Sequence, residues 1–273
     1  MLPYHDIDPV LIRLGPIQVR WYGLMYVLGF AATYLLVRYQ IKSQKLDRLA
    51  AHFDNLNLTL LVSLVLGGRL GYVLFYNLGY YLRHPLEIPA TWLGGMSFHG
   101  ALLGLLLGGF LYCRRHRLDF LATADVYIVT VPIGIGLGRI GNFINGELFG
   151  RITDVPWAMV FPGGGPVPRH PSQLYEALLE GVLLFAILWR ARGLARQRSW
   201  PHGSLLALFL AAYGIIRIIG EFFREPDPQI GFLPGGLTMG QLLSGLMVLS
   251  ALLLAAFIRN KEPSTGVEPP EKP

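Results

Sequence analysis

The chain reads as an all-α, polytopic membrane protein: seven membrane-spanning helices with a small extracytoplasmic head domain inserted between the fourth and fifth. Three observations predict this. The 273 residues are 53% hydrophobic and only 15% charged, with a mean hydropathy of +0.46, whereas soluble domains carry nearer a quarter charged residues. Seven apolar segments, at about 22–38, 56–78, 92–113, 121–143, 172–190, 203–223 and 237–258, are each long enough to cross a hydrocarbon core roughly 30 Å thick. The basic residues alternate between the loops: of 23 Lys and Arg, fourteen fall on one side of the segments, six on the other and three inside them. The positive-inside rule then puts the N-terminus outside and the C-terminus in the cytoplasm.

Taken in order, residues 1–21 form an extracytoplasmic N-terminal segment, read as irregular or interfacial. Trp21 and Tyr22 stand where an aromatic belt belongs. No basic region precedes the first apolar run and no small-residue cleavage site follows it, so a cleavable signal peptide is not expected. The seven-helix body is expected over 22–259, with the head insertion at about 144–171. That insertion is rich in Pro and Gly, and Pro156-Trp-Ala-Met-Val-Phe-Pro162 reads as a short strand within it. The Pro- and Glu-rich residues 260–273 are expected to be a disordered cytoplasmic tail. No internal repeat of the kind common in transporters is evident. The net charge of +6 does not indicate nucleic acid, because the basic residues are spread over short loops. The one cysteine, Cys113, permits no intrachain disulfide.

The polar residues inside the apolar segments carry the functional information. Burying an arginine at mid-membrane costs about 2.5–3.5 kcal/mol on insertion scales, so such residues are rarely incidental. Segment 4 ends with Arg139, Asn142, Asn145 and Glu147 within nine residues. Gly134, Gly138 and Gly141 form a small-residue stripe there, open to close approach by a helix or a lipid. Gly136-Leu-Gly138-Arg-Ile-Gly141 also matches the dinucleotide fingerprint, but that motif needs a preceding strand in a βαβ unit. Segment 2 places Arg69, Tyr72 and Tyr76 on one helical face, and segment 6 does the same with Tyr213, Arg217 and Glu221, with Arg224 one turn on. An Arg217–Glu221 ion pair is the plain structural reading of the latter. His99 opens segment 3, as a packing donor or as a general base. The seven histidines show no ligand spacing, so no zinc site is expected, and no cofactor is called for. Arginine forks bind phosphate bidentately, so buried arginines point to an anionic lipid headgroup. An anion or lipid transporter, or a scaffold whose arginines pair internally, are the competing classes.

These residues lie in motifs that resemble those of one family. Gly138-Arg-Ile-Gly-Asn-Phe-Ile-Asn-Gly-Glu-Leu-Phe-Gly150 resembles the signature of prolipoprotein diacylglyceryl transferases. So do Trp21–Tyr26, Gly67–Asn77, Gly95–Gly100, Arg169–Glu176 and Tyr213–Arg224, in order over about residues 8–259. The stretch between Phe161 and Val167 is shorter than in some members. The resemblance implies a seven-span enzyme of the bacterial inner membrane with a periplasmic head. Such enzymes move the diacylglyceryl group of phosphatidylglycerol to the lipobox cysteine of a preprolipoprotein, releasing glycerol 1-phosphate. It implies phosphatidylglycerol and lipobox-bearing preprolipoproteins as partners, with a monomer compatible. It further implies Arg139 and Arg217 on the phosphate and developing charge, and Asn142, Glu147 and Gly150 shaping the headgroup site. His99 is the implied base, with Tyr22 and Tyr213 as hydroxyl partners. Arg69, Tyr72, Tyr76, Glu221 and Arg224 join the expected lipid-binding set.

Overall fold

The computed structural model describes residues 7–15, 17–226, 231 and 233–260. The expected tail beyond Asn260 and the first six residues lie outside the described residues. The structure is predominantly helical, as befits a polytopic membrane protein. Among the described residues, four helices are long and apolar enough to cross a membrane: α1 (Trp21–Gln44), α2 (Asp47–Phe75), α9 (Ser204–Glu221) and α10 (Met239–Asn260). A fifth arises if α5 (Phe120–Ile128) and α6 (Val131–Ile144), bent by 43° at their junction, count as one. Pro132 in the first turn of α6 marks this break, which the apolar run 121–143 conceals.

The chain divides into two compact units, Arg38–Thr123 and Met1–Val37 with Ala124–Pro273. In the first, α2 packs against α4 (Phe98–Arg115), with α3 (Leu78–Arg83) and two 3-10 turns, Pro85–Glu87 and Thr91–Leu93, between them. The helix expected from residue 92 therefore starts only at Phe98, capped by Ser97, whose hydroxyl accepts from the Gly100 amide at 3.2 Å. Ser63, Gly67 and Gly71 on α2 face Gly100, Gly104 and Gly108 on α4, each set spaced by four. A Cβ on Gly104 would sit 2.8 Å from the Gly67 Cα. Backbones this close forbid any side chain, which is how helices gain contact where lipid tails offer no hydrophobic drive.

The second unit begins differently from the expected irregular tail. Strands β1 (Val10–Leu14) and β2 (Ile17–Arg20) form an antiparallel hairpin, with Leu14 opposite Ile17. Farther on, the segment expected as one helix from residue 172 is three pieces: α7 (Ser172–Glu176), a π-helical stretch Ala177–Leu183, and α8 (Leu184–Gln197). Val129, Leu184, Leu188, Leu205, Phe209 and Ile216 form the apolar core of this unit. α9 starts after Gly203 with no cap of its own. Asp125 of α5 supplies one, its carboxylate accepting from the amides of Gly203 and Leu206 at 2.7 and 2.8 Å. α10 opens with a reciprocal box in which the Gln241 amide donates to the Thr238 hydroxyl and the Thr238 amide to the Gln241 side chain.

The connection 145–171 carries bridges instead of the short strand expected at Pro156–Pro162. Gly150 pairs with Arg224, and Ile152 and Met159 each pair with Arg169. Phe161, fully buried, stacks on Phe149 at 5.5 Å, and the Arg169 guanidinium lies over the Phe149 ring. The Arg169 side chain also donates to the carbonyls of Gly164 and Gly150 and pairs with Glu225 at 3.1 Å. One arginine thus ties both ends of the connection.

Candidate active site: a buried arginine–glutamate cluster

In the unit containing α6–α10, Arg139 and Arg217 converge on the same two carboxylates. Arg139 projects from α6, and its Nε and Nη2 donate to Glu180 Oε2, both at 3.1 Å, while Nη1 lies 3.0 Å from Glu176 Oε2. Arg217 projects from α9. Its Nη1 bonds Glu176 Oε1 at 2.5 Å and Glu180 Oε1 at 3.3 Å, and its Nη2 donates to Glu221. Arg224 Nη1 stands 3.8 Å from Glu176 Oε1 and its Nε 4.0 Å from Glu221. Glu221 is held from its other oxygen by the Thr238 hydroxyl at 2.7 Å. Three guanidiniums therefore meet three carboxylates. Glu176 and Glu180 side chains are 1% exposed, while Arg139 and Arg217 retain 16% and 12%.

Local sequence explains the convergence. Glu176 and Glu180 are i, i+4 neighbours straddling the entry to the π-helical stretch, and π turns recur at functional sites. Gly181, in the same stretch, meets Gly136 of α6: a Cβ on either would fall within 2.9 Å of the other's Cα. That close approach brings the Glu-bearing face against α6 near Arg139. Tyr213, one turn before Arg217, stacks on Phe209 at 5.6 Å.

The glycine-rich signature that leads out of α6 is tied to α7, the helix that ends at Glu176. Glu147 accepts from the Asn142 amide nitrogen at 2.8 Å and the Asn145 amide nitrogen at 3.2 Å. Its backbone carbonyl takes the Gln173 side chain at 2.7 Å, and Ser172 donates to the Leu148 carbonyl. The Gly150 amide donates to the His170 carbonyl, and a Cβ there would meet that same oxygen at 2.8 Å. Of the glycine stripe on α6, Gly134 and Gly141 receive α1. A Cβ on Gly29 would lie 3.1 Å from the Gly134 Cα, and one on Gly141 2.7 Å from the Tyr22 ring. Gly138 has open space beside it. Tyr22 shares a hydroxyl contact with Tyr26 at 3.2 Å. Trp157 donates to the Tyr175 hydroxyl at 2.6 Å, and that hydroxyl shares a hydrogen bond with His170 Nδ1 at 3.2 Å. Burial pushes the His170 pKa below its ordinary value.

The structure thus brings together Tyr22, Arg139, Asn142, Glu147, Gly150, Tyr213, Arg217, Glu221 and Arg224 in one unit. Arg69, Tyr72, Tyr76 and His99 belong to the other. There Arg69, 3% exposed, donates to four carbonyls: Nε to Ile88 at 2.6 Å, Nη2 to Glu87 at 2.7 Å, and Nη1 to Gly94 at 2.6 Å and Gly95 at 3.1 Å. Gly94 and Gly95 both have positive φ, and a Cβ on Gly95 would run into the Tyr72 ring at 2.5 Å. Tyr72 stacks on the exposed Tyr76 at 5.7 Å. His99 is exposed in the first turn of α4, its ring edge-to-face with Phe98.

A model of prolipoprotein diacylglyceryl transferases matches residues 9–257. The chain belongs to the prolipoprotein diacylglyceryl transferase family. Three curated members are named phosphatidylglycerol–prolipoprotein diacylglyceryl transferase. One, from Desulfotalea psychrophila, is 62% identical over 250 residues, covering 91% of this chain and 92% of the relative. One from Geobacter sulfurreducens is 51% identical, covering 96% and 99%. One from Rhodospirillum rubrum is 48% identical, covering 96% of each. Within this family member, the two carboxylates that organise the arginines escaped the reading of candidate residues. Glu176 closes one of the resembling motifs, and Glu180 follows it in an otherwise apolar run. Two carboxylates one turn apart within a membrane segment carry the same warning as an arginine there.

Proposed function

We propose that this chain transfers the diacylglyceryl group of phosphatidylglycerol to the lipobox cysteine thiol of preprolipoproteins, the first step of bacterial lipoprotein maturation. The observation that carries this reading is the convergence of Arg139 and Arg217, from helices distant in sequence, on one buried carboxylate pair in a member of this family. The substrate sulfur attacks the glycerol carbon that bears the phosphate. An S–C bond forms, the C–O bond breaks, and the thiol proton ends on the departing glycerol 1-phosphate. The enzyme needs no thiol of its own, because the attacking thiolate is the substrate's. The guanidiniums of Arg139 and Arg217 stabilise the charge that grows on the phosphate oxygen. Asn142, Glu147 and Gly150 shape the headgroup site, with Tyr22, Tyr213, Glu221 and Arg224 around it. Tyr72, Tyr76 and Arg69 complete the lipid-binding set, Arg69 by fixing the loop it clasps. His99 serves as the general base in this reading.

The same reading counts α4 and the α7–α8 segment as spans, giving seven. It puts the N-terminus and the 144–171 head on the periplasmic side of the inner membrane and the C-terminus in the cytoplasm. Support comes from the alternation of basic loops.

The test uses purified protein in detergent with phosphatidylglycerol and a synthetic lipobox peptide, read by mass spectrometry. The expected products are diacylglyceryl peptide and glycerol 1-phosphate, with none from a Cys→Ser peptide. Well-folded protein that leaves phosphatidylglycerol unconsumed would overturn the reading. His99→Gln is expected to lower turnover strongly at undiminished protein level; near-normal turnover removes His99 as the base.

A further inference from the structure

Beyond the two arginines, we infer that Glu176 and Glu180 are positioning residues that hold down the site's affinity for phosphate so that the product can leave. The inference rests on the proposed reaction. Its basis is geometric. Each carboxylate bridges both guanidiniums, so the four side chains close a ring: Arg139 to Glu180, Glu180 to Arg217, Arg217 to Glu176 and Glu176 back to Arg139. The carboxylates sit in the ring at 1% exposure, and the accessible edge belongs to the arginine side chains, at 16% and 12%. Any anion arriving at that edge meets arginines whose orientation and net charge the two glutamates have already set. With Glu221 against Arg217 and Arg224, the formal charge of the cluster is zero.

The chemistry of the reaction gives that balance a purpose. A phosphodiester headgroup brings one negative charge, whereas a phosphate monoester carries about −1.5 to −2 at pH 7. A cluster of uncompensated arginines would therefore grip the product more tightly than the substrate. Charge-assisted contacts of guanidinium to phosphate are among the strong ones, and a site that binds its product best stalls after one turnover. Two fixed internal carboxylates weaken the grip on both phosphates, and weaken it most on the more highly charged one. They also fix both forks in place, since a guanidinium held by two acceptors cannot swing.

The experiment measures inhibition by sn-glycerol 1-phosphate, and the KM for phosphatidylglycerol, in wild type, Glu180→Gln, Glu176→Gln and Glu180→Asp. Removing one negative charge while keeping shape is expected to lower the glycerol 1-phosphate Ki about tenfold and to lower kcat together with it. Glu180→Asp, which keeps the charge, is expected to retain a Ki near that of wild type. A fall in KM extends the effect to the substrate phosphodiester, and a fall in Ki alone confines it to the product. A glutamate that served packing alone would lower yield and leave Ki unmoved. Unchanged or raised Ki in folded Gln variants overturns the inference. If a Gln variant melts early, inorganic phosphate is expected to raise its melting temperature by filling the vacated counter-charge; failure of phosphate to do so overturns it as well. Absence of diacylglyceryl peptide from wild type would instead refute the proposed reaction, and phosphate binding to the variants would still decide the role of the glutamates.

Discussion

Arg69 and the Arg139–Arg217 pair show two ways of burying a guanidinium in an apolar chain. Arg69 spends its Nε, Nη1 and Nη2 on four backbone carbonyls of one loop, residues 87–95. Its charge is met by dipoles, its position is redundant, and a tyrosine, Tyr81, packs over it at 5.0 Å. Arg139 and Arg217 spend theirs on carboxylates that come from elsewhere in the sequence. The first arrangement builds a loop. The second sets guanidiniums and carboxylates of opposed charge against one another at the proposed phosphate site. A buried arginine is therefore informative only once its partners are known: carbonyls point to architecture, and shared carboxylates to chemistry.

The contrast is testable by treating the arginines alike. Arg139→Ala is expected to abolish measurable transfer, by 10²-fold or more as for loss of a positioned charge donor. Folded protein should remain, since Arg217 still engages both glutamates. Arg69→Ala is expected to do the reverse. Four carbonyls lose their donor at roughly 1–3 kcal/mol for each that stays buried and unsatisfied, so yield and melting temperature fall while turnover per folded molecule changes less. Equal turnover losses at equal melting temperatures would erase the distinction. Next in size is Gly104→Leu, which puts a side chain where the α2 backbone already sits. Overpacking costs typically about 1–3 kcal/mol, and the expected result is a lower melting temperature with phosphatidylglycerol KM little altered among surviving molecules.

A smaller effect is expected of Asp125→Ala, which leaves the first amides of α9 uncapped at a cost of about 0.5–2 kcal/mol. Because α9 carries Arg217, a measurable fall in kcat should accompany the lower melting temperature. The smallest effect is a pH dependence at His170. Burial depresses the His170 pKa, so the folded state binds this proton less readily than the unfolded chain does. Stability from this residue is complete above the unfolded value, near 6.5, and declines as pH falls through it toward the folded value. Melting curves from pH 8 to 5 should therefore fall more steeply for wild type than for His170→Gln. Parallel curves would show that His170 titrates alike in both states.

Much of the candidate site is legible in the sequence. Arg139, Asn142 and Glu147 announce themselves as polar residues in a glycine-rich apolar run, and the Arg217–Glu221 pair follows from helical spacing. The structure keeps these associations because each is local. Arg69 was equally visible, yet its sequence says nothing of which acceptors it finds. Those sit 18 to 26 residues away in a loop whose shape depends on positive φ at Gly94 and Gly95. The N-terminal hairpin escaped notice because its strands are short and join through a tight turn at Gly15. The break between α5 and α6 escaped because hydropathy is blind to a bend.

By itself, then, the sequence determined that this chain enters a membrane many times, which residues are too polar to be there by accident, and which family it belongs to. Composition and local spacing are properties of neighbours along the chain, and the cost of burying charge makes exceptions stand out. Tertiary structure alone decided which carboxylate answers which arginine. Glu176 and Glu180 lie 37 and 41 residues beyond Arg139 of α6, and 41 and 37 residues before Arg217 of α9. Their meeting depends on Gly136 and Gly181 letting two backbones touch. Charge pairing in a low-dielectric interior is set by distance through space, and no pattern along the chain encodes that distance.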